Sequence, residues 1–166
     1  MAQLPLGSPE DLTRVLVGSA WRSSGRTLTE SELNLACMLS NDWHPIHADA
    51  GYAAASAVGQ RVFQGGYGVL LALGMSTHFP SVGSRTGLAL GTESWRFVAP
   101  LFIGDTVHVE VELTGLRRTS DGQRVAMQKR IRLVKSNGEV VQEGLATSLI
   151  YLSAQDKDAD IFGATT

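Results

Sequence analysis

The spacing of hydrophobic and polar positions changes character once along the chain. Up to about residue 79 the apolar residues fall in clusters at helical spacing, and from residue 86 onward they alternate. Residues 106–113 alternate most cleanly, with Val107, Val109, Val111 and Leu113 on one face and Thr106, His108, Glu110 and Glu112 on the other. The polar face predicts a solvated His108. Residues 124–134 repeat the pattern, with Val125, Met127, Ile131 and Leu133 turned inward. Asn137-Gly138 then predicts a two-residue hairpin turn, and the strand returning from it runs from residue 139 to about 152. An earlier strand is expected over 88–98, broken by Ala99-Pro100.

The first half predicts helices. Thr29-Glu30-Ser31-Glu32 has the form of a capping box, which opens a short helix ending at Ser40-Asn41. A polar loop follows over 41–49, stiffened by Pro45, and then an Ala-rich helix over 50–58 that stops at Gly59. Gly65-Gly66 opens the segment 67–79, which is apolar nearly all round and so predicts a helix buried on every side, closed by His78 and stopped by Pro80. Helices first and four antiparallel strands afterwards make an α+β order, in which the central helix covers one face of the sheet. The expected organisation is an N-terminal segment over 1–25, one domain over 26–152 and a loose tail over 153–166.

Composition narrows the class. With 166 residues, 43% hydrophobic and 18% charged, and a net charge of −2, the chain is a globular domain rather than a disordered one. A single cysteine, Cys37, excludes an intramolecular disulfide and a cysteine-based zinc site, which fits a reducing, cytoplasmic compartment. The first residues lack the basic and apolar regions of a signal peptide, and the longest apolar run is about half of the roughly 18 residues that a membrane span needs, so no membrane partner is expected. Charge is uneven: between 117 and 135, Arg117, Arg118, Arg124, Lys129, Arg130, Arg132 and Lys135 face only Asp121. That is a solvated strand face or a landing surface for an acidic or phosphorylated partner. Without interleaved aromatics it does not suit nucleic acid.

The chemistry concentrates in Ser40-Asn41-Asp42-Trp43-His44-Pro45-Ile46-His47-Ala48-Asp49, which places two His and two Asp in a short loop. Asp42, His44, His47 and Asp49 offer metal ligands, though Pro45 works against a regular helix that would align the histidines. The same residues also serve as turn and helix caps. Thirdly, a carboxylate and an imidazole a few residues apart can share one water, one accepting its proton and the other aligning it. The Gly65-Gly66 helix start supplies free N–H groups and a positive dipole end for a substrate carbonyl. Taken alone, the residues give acid–base chemistry on a carbonyl compound.

The 40–49 stretch resembles the motif of the MaoC-like, or (R)-specific enoyl-CoA hydratase, family, in which Ser-Gly-Asp-x-Asn-Pro-Ile/Leu-His-x-Asp is usual. The resemblance continues through Val62-Phe63-Gln64-Gly65-Gly66 and through Trp95-Arg96-Phe97-Val98-Ala99-Pro100 with Gly104-Asp105. It implies a hot-dog fold, a sheet wrapped around a central helix, and subunits paired edge to edge as a homodimer or higher oligomer. It implies that Asp42 and His47 hold the catalytic water, and that the Gly65 N–H polarises the thioester carbonyl. His44, Gly66 and Tyr67 are the expected substrate contacts. The implied reaction is reversible hydration of a trans-2-enoyl thioester, carried on coenzyme A or an acyl carrier protein, to the (R)-3-hydroxyacyl thioester, with no metal and no cofactor. The basic stretch would meet coenzyme A phosphates or the carrier protein. His44, Asn41, Gln64 and Gly66 stand where the family usually has Asn, Gly, His and a larger apolar residue, which suggests a different acyl group. A thioesterase on the same fold and a non-catalytic acyl-thioester binding module are the alternatives.

Overall fold

A computed structural model of the chain describes residues 17–77 and 86–153. The elements run β1 Ala20–Arg22, β2 Arg26–Thr27, α1 Glu30–Ser40, α2 Pro45–Ala48, α3 Ala50–Ala55, α4 Gly65–Ser76, β3 Gly87–Phe97, β4 Thr106–Arg118, β5 Arg124–Lys135 and β6 Val140–Tyr151. The strands form one antiparallel sheet in the order β1-β4-β5-β6-β3, with β2 also paired to β4. The long strands β4, β5 and β6 follow the alternation, β3 is exposed along nearly its whole length, and β1 comes from the weakly patterned N-terminal part and extends the sheet ahead of residue 26, where β2 begins. His78, Pro80 and the tail beyond residue 153 lie outside the described residues.

Helix α4 lies across β4 and β5. Its Gly68, Leu71, Ala72 and Ser76 are buried, and they meet a sheet face of Val107, Val109, Val111, Leu113, Val125, Met127, Ile131 and Leu133. Burial of this apolar face is the main stabilising term, at about 25 cal/mol per Å² removed from water. The helix is not buried all round, because Leu70 and Gly74 face outward. Its apolar composition therefore overstates its burial: one face packs on the sheet and the other is left open.

Register accounts for the charges. Glu110 stands opposite Arg132, Glu112 opposite Arg130, and Arg96 opposite Glu143, each as an ion pair across neighbouring strands. Arg124 pairs with Asp121, and Lys135 reaches Asp105 at 3.1 Å and Glu139 at 3.2 Å. The basic stretch is thus largely a ladder neutralised by its own sheet, in which each exposed pair contributes little to stability. Two sequence expectations fail locally. Lys135 N–H donates to the Glu139 carbonyl, so the last hairpin closes around three residues, 136–138, with Gly138 at φ +90. His108 is buried, because Arg22 of β1 lies over it and donates to Nδ1 at 3.2 Å.

Candidate active site

The site begins where α1 ends. The capping box on Thr29 is formed as expected, and Asn41 leaves the helix in the left-handed conformation at φ 57. Asn tolerates that conformation, which is also where glycine is at home. The turn delivers Asp42, whose N–H donates to Ser40 Oγ at 3.2 Å. Its Oδ1 accepts from the His44 N–H at 3.2 Å, and this leaves Oδ2 for other work.

Pro45 does more than stiffen a loop. It occupies the first position of the single-turn helix α2, where its fixed φ and missing N–H are tolerated. His44 caps that turn, its Nδ1 accepting from the Ile46 N–H at 3.2 Å. His47 follows one turn later, with Nδ1 at 2.7 Å from the Val62 carbonyl. A carbonyl only accepts, so Nδ1 of His47 carries the proton and Nε2 of the neutral ring presents a lone pair. That Nε2 lies 3.5 Å from Asp42 Oδ2. That spacing is short enough for a single hydrogen-bonding group to reach both atoms. In His44 the roles are reversed: Nδ1 is the acceptor, so the neutral ring offers Nε2–H as a donor. His47 is mostly covered, while Asp42 is open on one side.

Gln64 joins this loop to α4. It is buried, and its Nε2 donates to the Asp42 carbonyl at 3.3 Å and to Cys37 Sγ at 3.0 Å, while Oε1 has no partner among the described residues. The Asp42 carbonyl fixes which end of the amide is nitrogen. Gly65 and Gly66 follow at the start of α4, with the Gln64 carbonyl accepting from the N–H groups of Tyr67 and Gly68 at 3.0 and 3.4 Å. The two glycine N–H groups have no such partner among the described residues. Gly65 is in contact with the Phe97 ring, since a Cβ there would sit 2.8 Å from it, whereas Gly66 has open space. A cavity of about 350 Å³ opens here, lined by Phe63, Gln64, Gly65, Phe97, Pro100 and Gln142 among others.

The structure therefore brings Asp42, His44 and His47 onto one turn and ties that turn through Gln64 to Gly65. Tyr67 is placed differently. Its hydroxyl donates to Glu32 Oε1 at 2.9 Å and its ring stacks on Phe63 at 4.9 Å. Burial and the Glu32 carboxylate push the Tyr67 hydroxyl up to about 12. Burial draws the Glu32 carboxyl upward, but hydrogen bonds from the Thr29 backbone, the Tyr67 hydroxyl and the Thr29 side chain outweigh it and hold that group below the ordinary carboxylate range. What remains of Tyr67 for a substrate is ring surface, on a groove of about 370 Å³ along α4 with Leu70 and Met75. Asp49 caps α3 by accepting from the Tyr52 N–H at 2.9 Å. Among the described residues, no group of three or more His, Cys, Asp or Glu is set to hold a metal. Gln142 and the Val62 carbonyl were not among the expected site groups. The first shows in the sequence only as a polar residue in an apolar strand, and a backbone carbonyl carries no signal.

An antiparallel sheet with helix α4 laid across it defines the hot-dog fold, and Asp42 and His47 stand as a carboxylate–imidazole pair on the loop that Gln64 ties to the start of that helix. The chain belongs to the MaoC-like domain family, whose model matches residues 16–136. It is 31% identical over 130 residues to an (R)-specific enoyl-CoA hydratase of Rhodospirillum rubrum, covering 77% of this chain and 83% of the relative. It is 39% identical over 114 residues to the Protein MaoC of Klebsiella aerogenes, covering 68% of this chain but only 32% of that protein, so it spans about a third of that relative's length. The solved (R)-hydratase of A. caviae, described as involved in PHA biosynthesis, superposes with a TM-score of 0.68 at 28% identity, covering 81% of this chain and 96% of that one.

Proposed function

We propose that the protein catalyses the reversible syn addition of water to a trans-2-enoyl thioester, giving the (R)-3-hydroxyacyl thioester. The observation that carries this reading is the pair of Asp42 Oδ2 and His47 Nε2, 3.5 Å apart, with the Val62 carbonyl holding His47 in the tautomer that leaves Nε2 free. His47 Nε2 takes a proton from the water that Asp42 aligns, and the oxygen adds to C3. The electron pair of the C2–C3 double bond moves onto the thioester oxygen, where the Gly65 N–H receives it, and the proton returns to C2 from the same face. The step is redox-neutral and every proton has a side chain to carry it, so no metal or cofactor is assigned. The thioester is carried by coenzyme A, as in the name of the Rhodospirillum rubrum hydratase, or by an acyl carrier protein, as in that of a mitochondrial 3-hydroxyacyl-[acyl-carrier-protein] dehydratase of Arabidopsis thaliana to which the chain is 26% identical over 144 residues.

His44 Nε2–H and the open space at Gly66 set the acyl preference in this reading, with the Tyr67 ring as a wall. The active form is a homodimer joined through β3, whose Phe97 borders the cavity.

The test follows loss of enoyl absorbance over short, long, branched and carboxylated trans-2-enoyl-CoAs, with a thiol reagent in parallel. Wild type is expected to consume enoyl groups without releasing thiol, and Asp42→Asn and His47→Ala each to lose about 10²- to 10⁴-fold in kcat. Gly66→Met is expected to narrow the accepted acyl groups and His44→Asn to weaken polar ones. Thiol release without hydration would move the protein to the thioesterases, and an unshifted acyl preference in both substitutions would remove the assignments of His44 and Gly66.

A further inference from the structure

The cavity beside Gly65 has one wall that the hydration steps do not use. Gln142 of β6 is 3% exposed and stands on the inner face of the sheet, opposite Leu133 on one side and Phe97 on the other. A primary amide at such a position is costly unless its groups are met. Its Oε1 accepts from Trp95 Nε1 at 3.0 Å, and its Nε2 donates to the Gly65 carbonyl at 3.0 Å.

Two departures from regular structure make these contacts. In β3 the pairing slips between Glu93 and Arg96, and Ser94 sits at φ 52, which turns Trp95 inward over Gly144. A Cβ on Gly144 would lie 2.5 Å from the Trp95 ring. In α4, Gly68 leaves the space that the Gln142 amide fills, and a Cβ there would overlap it. A bulge and two glycines thus serve a single hydrogen-bonded chain from Trp95 through Gln142 to the first carbonyl of α4.

That carbonyl belongs to the same peptide group as the Gly66 N–H. A donor on the oxygen fixes the plane of the peptide and draws electron density from its nitrogen, which makes the N–H a stronger donor. We propose that Gln142, held by Trp95, is a positioning residue that aims and strengthens the Gly66 N–H, so that it joins the Gly65 N–H on the thioester oxygen. The inference rests on the hydratase reading above. Gln64, whose Nε2 holds the Asp42 carbonyl, lines the same cavity. Negative charge collects on the thioester oxygen mostly in the transition state, so the contribution falls on kcat more than on KM.

The decisive variant is Gln142→Glu, which keeps the size and the acceptor for Trp95 but, when ionised, has no proton for the Gly65 carbonyl. At pH 9 kcat is expected to fall about 10- to 100-fold with KM within about threefold. As the pH drops to 6 the substituted carboxyl takes up a proton and kcat recovers relative to the wild-type profile. Gln142→Leu loses kcat without recovery. Trp95→Phe, which keeps a ring over Gly144 and only releases the amide, shows a smaller loss and serves if a Gln142 variant does not fold. A Gln142→Glu profile parallel to wild type, or a loss confined to KM, would overturn the proposal. The Gly66 amide signal in ¹⁵N-labelled protein is followed over the same pH range. It is expected to move upfield in Gln142→Glu at pH 9 and to return at pH 6. If wild type hydrates no enoyl thioester, the hydratase reading fails while this signal still judges the clamp: a Gly66 shift indifferent to the substitution and to pH overturns it.

Discussion

His108 shows how one neighbour resets a side chain's chemistry. Burial, and then the Arg22 guanidinium, push its pKa below the ordinary value near 6.5, and Glu110 at 3.7 Å only partly opposes them. The folded protein therefore holds the ring neutral at a pH where the unfolded chain takes up a proton. By linkage, the stability this contributes is present above about pH 6.5 and is lost as pH falls from there through the lower folded pKa, with a slope of up to about 1.4 kcal/mol per pH unit. The carboxylates with lowered pKa, Glu32 and Asp121 (the latter near 2, through the Thr119 hydroxyl, the Gln123 N–H and Arg124), act only at lower pH, below about 4.5. Urea midpoints of wild type and His108→Gln between pH 5 and 8 separate the two. Wild type is expected to weaken on acidification from 6.5, and the variant, which can still accept from Arg22, to stay flat. Equal slopes would mean that another group is titrating.

Among the elements, β5 carries the most instructive exception. Its inner positions are Val125, Met127, Ile131 and Leu133, and between them stands Lys129, 5% exposed, opposite Leu113 and Ala146. Burial lowers its ammonium below the ordinary lysine value, and no ion pair relieves it among the described residues. A buried cation in that state is a cost, so Lys129→Met is expected to raise stability by about 1–3 kcal/mol at pH 7, read as a higher urea midpoint with an unchanged m-value. The penalty fades as pH rises toward 10.5, so the gap between the proteins should narrow in base; a variant that is less stable at pH 7 would show that Lys129 holds something in place. The same strand shows what a pattern of residue types conveys. Its alternation predicts the strand and its inner face, but a positive side chain at an inner position reads as part of a basic patch until the sheet is built. β1 was illegible because three residues hold no period, and so was its effect on His108. The closeness of Asp42 and His47, 3.5 Å apart in the fold, was legible because the two lie on one short loop, and the roles expected of them and of Gly65 came from the motif's resemblance to a family. Gln142 was not, because its partners are a helix carbonyl and an indole that meet it only in the folded sheet.

At the scale of the whole molecule, the sheet is finished on one side and open on the other. Beyond β4 it is closed by β1 and β2. Among the described residues β3 pairs only with β6 and exposes nearly its whole length, with Leu88, Leu90 at 60% and Phe97 at 62% facing out. An edge strand that a protein means to keep alone is short, bulged away, or set with lysine and proline. β3 runs to 11 residues and has neither Lys nor Pro, though two bulges, between Ala89 and Gly91 and between Glu93 and Arg96, interrupt it. In the homodimer proposed above a second copy of the chain takes this edge, where antiparallel pairing of β3 with itself would satisfy its outer N–H and C=O groups and cover the leucines. Phe97 links that edge to the cavity and to Gly65, so under the proposed function pairing and catalysis are expected to rise or fall together. Thr92→Pro, which removes a donor in mid-strand, and Leu90→Lys, which adds charge, are each expected to convert a dimer to a monomer in sedimentation velocity and to lower kcat/KM at least tenfold. Activity that returns at high protein concentration in Leu90→Lys would show that the loss lies in assembly and leaves the Asp42–His47 chemistry intact. A wild-type chain that sediments as a monomer and still turns over would instead place the whole site within a single copy.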